Sequence, residues 1–221
     1  MAASAPAAIE ALAARFLAAQ LQGDRDEALR LVLDDGIGRG IAAADVYLGV
    51  IQPTQYEIGR LWQENRISVA QEHLATAISQ LVVANLYRHL PRAPRNGKLV
   101  IVACPPGELH ELGARVAADF LDMTGFSVTY LGANVPTMSL VGMIQARRPD
   151  AVVLSAATSL CFPELRDTVR AVAEVAGPHL PILVGGSAFT WSDACPIPAG
   201  TIHARGDAFA LVDAVRQAVG A

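Results

Sequence analysis

Lys98-Leu-Val-Ile-Val-Ala-Cys104 is an apolar run that leads through Pro105-Pro-Gly-Glu-Leu-His-Glu-Leu-Gly113 into a helix-like stretch from Ala114 to Met123. A short β-branched run bounded by Pro and Gly reads as a strand. His110 then lies at the carboxyl end of a first parallel strand, where open α/β sheets bind their ligands. Outward from this point the pattern alternates. Strand-like runs at 127–131, 151–155 and 181–184, with a short fifth near Thr201-Ile-His203, are separated by helix-like runs at 112–123, 137–147 and 163–175, and a last helix starts near Asp207. The alternation predicts an α/β domain over 98–221 with a doubly wound five-stranded parallel sheet.

Towards the N-terminus the period changes. Ile9, Leu12, Phe16 and Leu17, then Ala28, Leu29, Val32 and Leu33, recur at three- and four-residue spacings, which is the helical signature. Gly23-Asp24, Gly36 to Gly40 and Glu64-Asn65-Arg66 divide this half into helices at 6–21, 25–35, 42–63 and 69–90, predicting a four-helix bundle cap over 1–90. Ser68 followed by Gln71 has the spacing of a capping box. Pro91 to Gly97 reads as a polar linker between two domains, and Arg88, Arg92, Arg95 and Lys98 as its solvated charges. Trp62 is followed after nine residues by Glu72-His73, so the cap offers a large aromatic and a second histidine. Two histidines directed at one ligand suggest a metal-centred cofactor.

Composition narrows the classes. The 221 residues are 52% hydrophobic with mean hydropathy +0.35, enough for a core, yet no run reaches the ~18 apolar residues of a membrane span. The start, Met1-Ala-Ala-Ser-Ala-Pro6, lacks the basic region of a signal peptide, so a cytoplasmic protein is expected. Cys104, Cys161 and Cys195 are odd in number and form no Cys-x-x-Cys pair, which argues for reduced thiols. A net charge of −4 gives no footprint for direct nucleic-acid binding.

The strand ends carry the decisive spacing. His110 follows the first strand, Ser155 ends the third and Gly185-Gly186 ends the fourth, so all converge on one carboxyl edge of a sheet of flavodoxin-like order. Glu108-x-His110-x-x-Gly113, then 41 residues to Ser155, then the glycine pair, resembles the cobalamin-binding signature of methionine synthase, corrinoid methyl carriers and base-off mutases. Glu108 at the place where that signature has Asp, together with Trp62, Glu72 and His73, resembles the CarH-type and AerR-like cobalamin photoreceptors.

The resemblance implies a flavodoxin-like cobalamin-binding fold beneath a helical cap. It implies His110 as lower cobalt ligand, Glu108 behind it and Leu109 beside it. The nucleotide tail is then expected in a slot lined by Gly113, Ser155, Ser159, Gly185 and Gly186. Trp62 is expected to cover an adenosyl group and His73 to take its place on cobalt after photolysis, giving a bis-histidine state; hydroxocobalamin is the other expected form. Glu72 is left between pairing with Arg60 or Arg66 and touching the adenosyl group. With no DNA-binding segment before the bundle, the expected output is a partner such as a transcriptional regulator, or a light-dependent homo-oligomer. Ala157 and Cys161 depart from the signature, Cys161 standing where related modules place the serine of a ligand triad. A corrinoid methyl carrier is the second expectation, although Leu112, Ala114 and His73 depart from it, and a cobalamin store or chaperone is the third. His89, His179 and His203 read as surface residues, and Phe189 and Trp191 as packing under a loop.

Overall fold

The computed structural model describes residues 6–191, the side chain of Trp191 excepted, and 197–221; Cys195 lies outside them. The chain divides into two compact units, Met1–Pro91 and Arg92–Ala221.

The first unit is helical. α1 (Pro6–Gln22) buries Leu12, Phe16, Ala19 and Gln20, one stripe of its surface. α2 (Arg25–Arg30) starts at Asp24, whose side chain accepts from the Glu27 amide, and runs on through a π-helical turn, Leu31–Gly36. α3 (Ala43–Val46) and α4 (Gln52–Gln63) are joined by a second π-helical turn, Tyr47–Ile51. Pro53, at the head of α4, brings no N–H to the ladder, and the Thr54 hydroxyl instead donates to the Val50 and Ile51 carbonyls at 2.8 and 3.0 Å. α5 (Val69–Leu86) opens with the capping box expected of Ser68 and Gln71 and stops four residues short of the expected end. Phe16, Val32, Tyr47, Ile58, Val82 and Leu86 form the centre, and the Tyr47 hydroxyl donates to the Val83 carbonyl.

The second unit is α/β. β1 (Leu99–Ala103), α6 (Leu112–Met123), β2 (Ser127–Gly132), α7 (Thr137–Arg147) and β3 (Ala151–Ser155) are followed by α8 (Phe162–Ala176), β4 (Ile182–Gly185), α9 (Ala188–Trp191), β5 (Ile202–His203) and α10 (Ala208–Val219). The strands pair in parallel in the order β2-β1-β3-β4-β5. Alternation puts Ile101, Ala103, Val152, Leu154, Ile182 and Val184 on the face packed by α7 and α8, whereas α6 and α10 pack together elsewhere in the unit and both contact β3. The order reverses between β1 and β3, which fixes the switch point of the doubly wound sheet. No helix among the described residues is long and apolar enough to cross a membrane.

Two expectations are corrected. Arg95 is fastened, its guanidinium donating to the Asp122 carboxylate at 2.6 Å and to the Phe126 carbonyl, while Asn96 N–H bonds the Gly125 carbonyl; this stretch is stitched to the α6–β2 turn. His203 is half-buried and not a free surface residue, since β4 and β5 pair Val184 with it and its ring packs tilted against Phe189 with centroids 4.4 Å apart.

Candidate functional site

β1 and β2 hand their loops to each other. The Cys104 amide donates to the Gly132 carbonyl, the Gly107 amide to Asn134 Oδ1 at 2.8 Å, and the Asn134 amide back to the Glu108 carbonyl at 2.9 Å. Glu111 adds a clamp, its Oε2 accepting from the Tyr130 hydroxyl at 3.0 Å and from the Ala133 amide at 3.1 Å. The loop that carries His110 is therefore held from both sides, as a residue meant to present one atom must be. Asn134, Tyr130 and Glu111 carry no sequence signal of this task, because it arises only where the two loops meet.

Glu108 is the centre of the arrangement. Its side chain has no exposure, and Oε1 accepts from the His110 amide at 2.9 Å and from His110 Nδ1 at 2.6 Å. Oε2 reaches across to the loop after β3 and accepts from the Ala157 and Thr158 amides at 2.7 and 3.2 Å. Burial pushes this carboxyl up, but the hydrogen bonds from His110, Ala157 and Thr158 outweigh it and hold it down at about 2. An anion is therefore fixed behind the imidazole. With Nδ1–H donating to it, the neutral ring carries its lone pair on Nε2, and His110 is 60% exposed, so a borderline metal ion finds a nitrogen donor with a carboxylate behind it. Cys161 lies 3.5 Å from the Thr158 hydroxyl, and its thiol is pushed up by burial and by Glu108 nearby. Besides the two backbone amides on Oε2, this carboxylate is hydrogen-bonded by the Cys161 side chain, which stands where a serine ends the triad of related modules.

Around His110 the carboxyl edge is open and apolar. Leu109 is 68% exposed, Met138 at the start of α7 is 73% and Leu160 after β3 is 86%. Large exposed apolar side chains grouped at a strand-end crevice suit a flat, largely apolar ring. Gly113 and Ser155 face each other beneath it, a Cβ at 113 meeting nothing nearer than Ser155 Oγ at 3.9 Å. Gly185 pairs with Ser155 in the sheet, and a Cβ there would stand 3.2 Å from the Ala204 carbonyl. Gly186 has φ +110, and a Cβ would stand 2.2 Å from the Ala156 carbonyl, so the fold itself requires this glycine. Ser159 is exposed in a short 3-10 turn of the same edge. Thus Glu108, Leu109, His110, Gly113, Ser155, Ser159, Gly185 and Gly186 all belong to one edge of the second unit.

Trp62, Glu72 and His73 belong to the first unit. Trp62, near the end of α4, is 44% exposed, too much for a core aromatic. Arg60 is taken by Glu57 and Glu64, and Arg66 by Glu64. Glu72 pairs with neither; Oε2 meets His73 Nδ1 at 2.5 Å and Oε1 accepts from the Thr76 hydroxyl at 2.8 Å.

Comparison with known proteins agrees with this chemistry. Residues 98–206 match the B12 binding domain, and residues 12–87 match a second, separate B12 binding domain family. The chain is 38% identical over 143 residues to the HTH-type transcriptional repressor CarH of Myxococcus xanthus, covering 63% of this chain and 46% of the repressor. It is 35% identical over 182 residues to the repressor CarA of the same organism, covering 80% and 58%. The chain thus spans about half the length of these relatives. Among solved structures, the Methanosarcina barkeri monomethylamine corrinoid protein superposes with TM-score 0.80 at 16% identity, over 94% of this chain and 98% of that one, which is a likeness of fold.

Proposed function

The chain belongs with the cobalamin-binding proteins, since B12 binding domains account for both of its units, and we propose that it is a light-responsive regulator rather than an enzyme. Cobalamin, as adenosylcobalamin in the dark and hydroxocobalamin after illumination, would supply a light-labile cobalt–carbon bond and a cobalt that exchanges ligands. In this reading His110 gives the lower nitrogen to cobalt and Glu108 sets its direction. Leu109 lies against the ring, and Gly113, Ser155, Ser159, Gly185 and Gly186 make room for the nucleotide tail. Trp62 would shield the group that cobalamin carries, and His73 would offer a second nitrogen to cobalt.

The observation that carries the reading is the repeated pair. Each histidine has Nδ1 on a glutamate oxygen, at 2.6 Å for His110 and 2.5 Å for His73, which leaves a lone pair on Nε2 in both rings. Relatives that are transcriptional repressors support a regulatory output, here through a separate transcriptional regulator or through assembly of copies.

Absorption spectra and sedimentation of the holoprotein, dark and after green light, provide the test. Wild type is expected to change both on illumination, His73→Ala to bind in the dark but lose both changes, and His110→Ala to lose most binding. If illuminated wild type and His73→Ala are indistinguishable in spectrum and size, the photoreceptor reading fails and a methyl carrier or store takes its place.

A further inference from the structure

A chain of polar side chains crosses the interior of the helical unit. Gln20 on α1 is 1% exposed, on the same stripe as Leu12 and Phe16, and its Nε2 donates to the Ala75 carbonyl at 3.1 Å and to Ser79 Oγ at 2.9 Å. Ser79, wholly buried on α5, also accepts from Gln55 Nε2 of α4 at 2.6 Å. The single Thr76 hydroxyl proton has two acceptors, Glu72 Oε1 at 2.8 Å and Gln55 Oε1 at 3.2 Å, and Glu72 Oε2 takes His73 Nδ1. Three helices are tied by this chain, and it ends on an imidazole whose side chain is 74% exposed.

A bundle has no energetic need for such a chain. Burying amides and hydroxyls costs about 1–3 kcal/mol per group unless each is bonded, and apolar replacements of the same shape are near neutral. What the chain gives is direction. Neighbouring residues on a helix do not face each other, so the His73 ring meets the Glu72 carboxylate only while that carboxylate is turned towards it. Thr76, one turn further on and itself in contact with Gln55, holds the carboxylate there.

We propose that Thr76 is a positioning residue that acts through Glu72 to keep the His73 proton on Nδ1 and its lone pair on Nε2, making His73 a pre-set nitrogen donor for a transition-metal centre, with Gln55 competing for the same Thr76 proton. The proposal rests on His73 being the second axial donor. Gln55, held on Ser79, sets the share of that proton that Glu72 receives, so the setting of one exposed ring depends on the packing of α4 on α5.

Nitrogen-15 NMR of the full-length apoprotein, at a pH of about 8, reads the His73 tautomer without any cofactor. Wild type is expected to show Nδ1–H. Thr76→Val should raise the Nε2–H fraction at least about twofold, Thr76→Ser should restore the wild-type pattern, and Gln55→Leu, which leaves the Thr76 proton to Glu72 alone, should not raise it. Gln55→Leu leaves Thr76 and Glu72 in place and carries the test alone should Thr76→Val not fold. An Nε2–H signal in wild type, a pattern unmoved in Thr76→Val, or a raised Nε2–H fraction in Gln55→Leu overturns the proposal. A confirmed tautomer response together with an illuminated spectrum indifferent to His73→Ala leaves the positioning chain standing and sinks the axial reading alone.

Discussion

Glu108 shows what one methylene can do at a strand end. Its longer arm lets a single carboxylate hold His110 with one oxygen and the Ala157 and Thr158 amides with the other. Glu108→Asp keeps the charge but cannot span both loops, and is expected to cost about 1–3 kcal/mol in urea unfolding because buried donors lose their acceptor. The pH dependence has a definite sign. The Glu108 carboxyl lies at about 2 in the folded state against an ordinary 4.5, so the stability it contributes is present above 4.5 and is lost as pH falls towards 2. Glu108→Gln should flatten this part of the profile; a variant declining in parallel with wild type places the source elsewhere. His203 acts in the opposite sense to a paired histidine. Burial and then Arg205 hold its pKa below 6.5, and its Nε2 is buried with no hydrogen-bond partner among the described residues, so stability falls as pH drops below 6.5. His203→Phe, which keeps a ring against Phe189, should remove that loss from the same titration.

At the scale of elements, two glycines of the site differ in what they serve. Gly113 lies in the first turn of α6, where a Cβ is 3.9 Å from its nearest neighbour, so Gly113→Ala should stabilise the apoprotein by about 0.5–1 kcal/mol through helix propensity. Under the proposed function the same substitution narrows the path of the nucleotide tail and weakens cobalamin binding by about tenfold, near 1.4 kcal/mol. Opposite signs in a melt and a binding titration are the expected outcome, and equal binding would move the tail away from Gly113. At Gly186 the signs agree. Its positive φ and the Ala156 carbonyl at 2.2 Å from a Cβ make Gly186→Ala destabilising by about 1–3 kcal/mol, with binding lost along with the β3–β4 edge.

For the whole molecule, the α/β unit carries its own core on the α7–α8 face of the sheet, and residues 93–96 are bonded to Met123, Gly125 and Asp122 of that unit. A fragment of residues 92–221 should therefore melt cooperatively, and under the proposed function it should bind cobalamin yet give no light-dependent change in size, because Trp62 and His73 are gone. A fragment that is unfolded by circular dichroism shows instead that the units are interdependent.

Periodicity and spacing were sufficient for the architecture. The switch from a three-to-four-residue period to alternating strands and helices predicted the helical N-terminal region and the parallel sheet, because side-chain period is a local property of helix and strand. The His110, Ser155 and Gly185-Gly186 spacing located the carboxyl edge for the same reason, since topology alone places strand ends together. What the sequence could not show was partnership across loops and between helices. The second set of donors on Glu108, the fastening of Arg95 and the burial of His203 each depend on residues 30 to 50 positions away or on the edge pairing of β5. Gln20 was visible only as a polar residue on an apolar stripe; its route to His73 through Ser79, Gln55, Thr76 and Glu72 exists because three helices pack, and hydrogen bonds need atoms within about 3 Å that no linear spacing can guarantee.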